Sequence, residues 1–282
     1  MRINYFDLIL GKEPGIPYLA GEEIIGKIEI HVQEKTRIAR LTVRLLGQSH
    51  TAWRNKASDI MYESKELIMD DYVDLTNDLA LHCTEALEIS EGKHRMEFKM
   101  KEVLIYSLLN LDAPHFRQSV RAHDQVNVIG CLCRRPKGWI SAELIVGELG
   151  LMPGEIVKIS LIIENTTKRR KSKKHSKAHE CALLSLCQQL DFRAQNRYNP
   201  QMYDEKFLTI AVESEGMCKA NDNKGPETKL IAFKIPENLP PTSTKANGLI
   251  TCSYFFKLDM EHFDLVVPVV IGSAKTAEPI LL

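Results

Sequence analysis

No apolar run in the sequence approaches the roughly 20 residues that a membrane-spanning helix requires. The longest, residues 265–271, is interrupted by Pro268 and reads as a buried strand. The opening stretch Met1 to Leu10 is too short and too broken by polar residues for a secretory signal. Cysteine is sparse and odd in number. The seven residues Cys83, Cys131, Cys133, Cys181, Cys187, Cys218 and Cys252 are scattered, which excludes the dense, even framework of a disulfide-stapled secreted domain. Reduced thiols in a cytosolic protein are the simpler reading. Charge of one sign is also missing: 37 basic residues balance 37 acidic ones, for a net charge of +0. A chain without a global basic field is not built to hold nucleic acid. The sequence carries no nucleophile elbow of the G-x-S-x-G type, no phosphate-cradling Gly-rich loop and no His-Glu-x-x-His. No enzyme, cofactor or metal is therefore expected. Cys131 and Cys133 near His123 lack the two well-spaced ligand pairs of a zinc site and read as free thiols beside a linker.

What the sequence does contain is alternation with a period of two. Ile24, Gly26, Ile28, Ile30 and Val32 share one face, with Lys27, Glu29 and His31 on the other. Leu41, Val43 and Leu45 alternate with Thr42 and Arg44, and Met96 and Phe98 with Glu97 and Lys99. In the second half Val157, Ile159, Leu161 and Ile163 repeat the pattern, followed by apolar runs over 230–233, 249–256 and 265–271. Such segments suit sheets with one face on a core and the other in water. Helical periodicity is rare; residues 58–68 are expected as an irregular loop with strand edges, or a short helix. The acidic run Asp70-Asp71-Tyr72-Val73-Asp74 lacks calcium-loop spacing and reads as a solvated loop.

An internal repeat organises the chain. Leu19-Ala20-Gly21-Glu22 and Met152-Pro153-Gly154-Glu155 each lead into an alternating strand, with apolar residues at the same offsets from the glycine. The strand that follows recurs too: residues 41–48 correspond to 182–189. Two successive matched elements predict duplicated sandwiches. The boundary is placed in the basic, Pro- and Gly-containing stretch from Cys133 to Gly138, giving domains over 1–133 and 134–282.

These motifs resemble a known family. Tyr18 to Glu22 followed by Gly26-Lys27-Ile28, the strand from Leu45 to Trp53, the strand from Leu87 to Phe98 with Gly92, the Pro153-Gly154-Glu155 turn, and the ending Val267-Pro268-Val269-Val270-Ile271-Gly272 resemble, in order and spacing, the alpha-arrestins. The resemblance covers most of the chain. It implies an all-β fold of two tandem immunoglobulin-like sandwiches, the arrestin fold, acting as a non-enzymatic cytosolic adaptor in endocytosis, sorting and protein transport. Its partners would be membrane-cargo tails and trafficking machinery. A retromer-type coat subunit, which shares the fold, is the alternative. The chain departs from the family pattern twice. After Met100 it runs almost directly into Leu109-Asn110-Leu111-Asp112, so that roughly 30 or more residues of the first sandwich are missing relative to the family; losing two neighbouring strands would open an edge and bare core surface. It also lacks the P-P-x-Y motif, so recruitment of a ubiquitin ligase by that route is not expected; Pro240-Pro241-Thr242-Ser243 is not such a motif.

Two local features are candidate sites. Lys168, Arg169, Arg170, Lys171, Lys173, Lys174 and Lys177 form a concentrated basic connection within a neutral chain. It is either a solvated hairpin connection or a contact for anionic lipid or a phosphorylated partner, with a nuclear-import signal as a third reading. Cys181 and Cys187, six residues apart, are candidate redox thiols on one face of a strand; the resemblance implies a mixed disulfide with thioredoxin, and a plain strand cysteine is the alternative. Trp53 and Trp139 read as packing anchors.

Overall fold

The computed structural model describes residues 3–14, 18, 22–77, 88–100, 109–129, 136–167, 182–217, 225–244, 248–260 and 262–275. They form strands almost throughout: β1 (Ile3–Leu10), β2 (Ile24–Val32), β3 (Thr36–Arg37), β4 (Thr42–Arg54), β5 (Met61–Asp74), β6 (Glu88–Ile89) and β7 (Gly92–Met100), then β8 (Val120–Ile129), β9 (Pro136–Val146), β10 (Gly150–Leu151), β11 (Ile156–Asn165), β12 (Ala182–Gln195), β13 (Tyr203–Met217), β14 (Glu227–Lys234), β15 (Ile250–Asp259) and β16 (Asp264–Ile271). One turn of 3-10 helix, Pro114–Arg117, precedes β8. The chain divides into two compact units, Met1–Ser107 and Leu108–Leu282.

In the first unit, β1, β2 and β7 form an antiparallel sheet in the order β1-β2-β7. The alternation expected for 24–32 and 96–100 is realised: Ile24, Ile28, Ile30 and Val32 of β2 and Met96, Phe98 and Met100 of β7 point into one core. Gly26 is required where it stands, because a Cβ there would lie 2.5 Å from Phe98 Cζ and 2.7 Å from the Ile9 carbonyl. The opposing layer is the long β4–β5 hairpin with the short β3–β6 pair, and Leu41, Val43, Leu75 and Ile89 close the core from that side.

Residues 58–60 complete a turn, as the loop reading expects, and 61–68 are strand rather than loop or helix. The chain reverses between Arg54 and Met61, with the Asn55 side-chain oxygen accepting from the Ala57 and Ser58 amides at 3.0 and 3.4 Å and Asp59 in the left-handed region at φ 56°. This local turn chemistry lets β5 return along β4 with Val43 opposite Val73 and Trp53 opposite Tyr62. The acidic run 70–74 is the end of β5, not a loop. Arg44 donates two 2.7 Å bonds to Asp70, and Arg40 bonds Asp74 at 2.9 Å. Neighbouring cations thus stabilise charge that a strand would otherwise concentrate.

The second unit is a sandwich of a five-stranded sheet, β10-β16-β15-β12-β13, on a four-stranded sheet, β14-β11-β9-β8. Its core takes the inward residues of both sheets, including Leu144, Ile159, Leu161, Leu184, Leu186, Phe233, Phe256 and Val267. Phe233 and Phe256 meet edge to face at 5.1 Å across the two layers. Residues 120–129 pair with β9 in this sandwich, although the sequence groups them with the first domain; β9 begins at Pro136, inside the stretch read as a linker.

The connector 109–112 is seated in the second unit as well. The Leu111 amide donates to the Ala274 carbonyl at 2.9 Å and the Leu109 amide to Ser273 Oγ at 2.8 Å. The fully buried Leu111 side chain fits where two glycines leave room: a Cβ on Gly272 would lie 2.3 Å from Leu111 Cγ, and one on Gly150 3.1 Å from Leu111 Cδ2. The Pro153-Gly154-Glu155 turn is also explained. Gly154 has φ +80°, the Glu155 carboxylate accepts from the Met152 amide at 2.9 Å, and Lys275 bridges Glu148 at 2.6 Å and Glu155 at 3.3 Å.

Candidate functional site

Among the described residues no group of three or more His, Cys, Asp or Glu side chains could hold a metal ion. Among the same residues no helix is long and apolar enough to cross a membrane. Among the described residues the exposed features include sheet edges, two open cavities and apolar strips.

The first cavity, of about 650 Å³, lies on the β1-β2-β7 sheet of the first unit. Register builds it from two cross-strand rows. Tyr5, His31 and Lys93 stand side by side, and Asp7, Glu29 and Arg95 form the next row. The Tyr5 hydroxyl donates to Asp7 at 3.0 Å, and that bond to a carboxylate raises the phenol's pKa. His94 turns inward, with Nε2 2.9 Å from the Ser90 carbonyl. Lys93 and Arg95 line it beside Glu29, so the surface can receive a polar segment of mixed charge.

The second cavity, of about 630 Å³, opens in the second unit between β13 and β14, the edge strands of the two sheets. Glu213 and Glu215 lie opposite the fully buried Leu186 and Leu184 in the register, so both carboxylates stand on the core-facing side of the edge. Inward-pointing charge on an edge strand blocks pairing with a foreign strand. Farther along β13, Phe207 on the outer face and Leu208 and Ile210 on the core-facing side are exposed.

The basic segment Lys168, Arg169, Arg170, Lys171, Lys173, Lys174 and Lys177 lies outside the described residues, as does Cys181. Its flanks are placed: β11 ends at Asn165 and β12 starts at Ala182, so the segment joins the two sheets of the second sandwich. Cys187 is buried in β12, on the face opposite Leu184 and Leu186. Burial pushes its thiol pKa up, partly offset by Lys257. A thiol so placed is held protonated, away from the thiolate form that attacks disulfides. Trp139 is half-buried, and its backbone exchanges two 2.9 Å bonds with the Thr166 hydroxyl.

Sequence reasoning did not foresee the cross-strand rows on β1, β2 and β7 or the inward carboxylates of β13. The first required strand register; the second required knowing that β13 is an edge.

Comparison with family models matches residues 6–101 to the arrestin (or S-antigen) N-terminal domain and residues 136–276 to the arrestin (or S-antigen) C-terminal domain. No curated protein matches the chain. The first match lies within the β1–β7 unit and the second within the larger sandwich. The chain belongs to the arrestin family: it is an arrestin-domain protein of all-β, two-domain fold.

Proposed function

We propose that the chain is a non-enzymatic adaptor of the alpha-arrestin kind, linking membrane-protein cargo to endocytic and sorting machinery. Its place of action is the cytoplasm, at the periphery of the plasma membrane or endosomes. The observation that carries this reading is the pairing of two arrestin domains with exposed sheet edges and a mixed-charge surface on the first unit, alongside a basic run in the sequence at 168–177. Sheet edges bind extended segments through main-chain bonds, and alternate side chains set specificity. The 109–129 segment acts as structural support for the second sandwich.

The basic connection from Lys168 to Lys177 supplies the membrane term. Near an anionic bilayer each such side chain contributes about 1 kcal/mol, and the attraction falls off within a Debye length. Recruitment is therefore salt-sensitive. Co-sedimentation with phosphatidylserine-containing vesicles tests it: charge reversal at Lys171, Lys173 and Lys174 is expected to abolish pelleting at moderate salt, and unchanged pelleting would sink the membrane role. Affinity capture of the chain separates the cargo adaptor from the retromer-type reading. Sub-stoichiometric membrane proteins are expected, whereas a stoichiometric coat partner would favour the latter.

A further inference from the structure

The cavity of about 650 Å³ on the β1-β2-β7 sheet is rich in donors, while the acidic groups around it are already engaged. Glu29 pairs with Lys27 at 2.9 Å. Asp7, its cross-strand neighbour, accepts from the Tyr5 hydroxyl at 3.0 Å. Arg95 lies opposite Glu29 in the register, yet its exposed guanidinium reaches Glu97 at 3.7 Å, a loose pair. The side chains of Asn4, His31 and Lys93 line the cavity and make no hydrogen bond or ion pair with the described residues. Two cations, an imidazole and an amide are thus left to an incoming group that accepts hydrogen bonds and carries negative charge.

Register sets the spacing of these donors. His31 stands between Tyr5 and Lys93 in one cross-strand row, with neighbours about 5 Å apart. Lys93 and Arg95 are two residues apart on β7 and share a face, which puts them about 6.6 Å from each other. Asn4 is the extra residue of a bulge that shifts the register between Ile3 and Tyr5, and its amide stands at the rim. Any extended segment repeats its side chains on one face at the same interval of about 6.6 Å. Carboxylates at alternate positions of such a segment therefore meet Lys93 and Arg95 together. Charge favours a carboxylate over a phosphate, because Glu29 beside Arg95 repels a dianion about twice as strongly as a single negative charge.

We propose that this cavity docks an extended acidic segment of a partner protein, with carboxylates two residues apart on Lys93 and Arg95. His31 and Asn4 donate to the oxygens of the same segment. The segment lies along β7 on the outer face of the sheet and does not add to a sheet edge. The proposal rests on the adaptor reading and names the chemistry of what is bound. Exposed ion pairs contribute little singly and are screened by salt, so the contact is weak, reversible and salt-sensitive.

Fluorescence anisotropy with the full chain tests it. The probe is a labelled Ser/Gly peptide with two glutamates at alternate positions. Binding is expected at low salt, weakened about tenfold or more by Lys93→Gln with Arg95→Gln, and about threefold by Lys93→Gln alone. Lys99→Gln is the matched control: Lys99 shares the strand and face but pairs with Glu23 at 2.7 Å outside the cavity, and binding is expected to stay unchanged. A peptide of the same composition with adjacent glutamates is expected to bind more weakly, because neighbouring side chains of an extended chain point to opposite sides. No binding, equal binding of the two peptides, or wild-type affinity in both glutamine variants with unchanged circular dichroism overturns the proposal. So does tighter binding of a phosphoserine peptide, which assigns the cavity to phosphate. Phosphatidylserine vesicles that need Lys93 and Arg95 while the peptide does not bind assign it to a membrane and overturn the proposal as well. Each of these failures is distinct from failure of the adaptor reading, which changes in membrane-protein surface abundance on depletion of the chain would still support.

Discussion

Leu111 and Gly272 should behave as one structural unit. Leu111 is fully buried, and a methyl group on Gly272 would overlap its side chain at 2.3, 2.5 and 2.8 Å. Leu111→Ala removes three carbon groups worth about 0.8 kcal/mol each, or roughly 2.4 kcal/mol of transfer energy. The cavity left behind brings the expected loss to about 3–5 kcal/mol. Gly272→Ala overpacks the same space and is expected to cost about 1–3 kcal/mol, because Leu111 is tied to Ala274 through its backbone amide and cannot withdraw freely. In the double variant the new methyl occupies the space that Leu111 has vacated. Its cost should fall short of the sum by about 1–3 kcal/mol. Guanidinium unfolding of the full chain in a Trp53→Phe background, which leaves Trp139 as the reporter in the second unit, measures all four corners of the cycle. Additive costs, or a Leu111→Ala loss below about 1 kcal/mol, would refute the socket.

Two further outcomes follow from the first unit. Gly26→Ala would place a methyl against Phe98 and the Ile9 carbonyl, and backbone cannot yield as a side chain can; a loss of about 1–3 kcal/mol is expected in unfolding followed by Trp53 in a Trp139→Phe background. Acidification should weaken the β4–β5 hairpin. Hydrogen bonds hold Asp70 (from Arg44) and Asp74 (from Thr76) below the ordinary aspartate value of 3.8, and Glu63 (from His50) below the ordinary glutamate value of 4.5. Groups depressed in the folded state bind fewer protons than in the unfolded chain. Their stabilisation is complete above the unfolded values and is lost as pH falls through the folded ones. The melting temperature of the first unit is expected to drop as pH falls below about 5, and a flat profile down to about pH 3 would contradict this.

Much of the fold was legible because alternation reports a half-buried strand directly. Ile24 to Val32 and Val157 to Ile163 have the burial that their patterns require. The 58–68 segment was harder to read because its turn rests on an Asn55 side-chain bond and a left-handed Asp59, while the returning strand carries charges at positions that periodicity assigns to loops. The acidic stretch of β5 is strand because Arg44 and Arg40 lie across from or beside it, a pairing that only register reveals. The placement of 109–129 depends on Leu111 meeting Gly150 and Gly272, residues remote from each other in sequence.

The central claim is that the chain governs the residence of membrane proteins without chemistry of its own. Cell-surface proteomics, before and after depletion of the chain and again after re-expression, tests it most directly. The expected result is a restricted set of membrane proteins whose surface abundance changes on depletion and is restored by the intact chain, but not by the chain with Lys171, Lys173 and Lys174 reversed in charge. A surface proteome that does not change on depletion would contradict it.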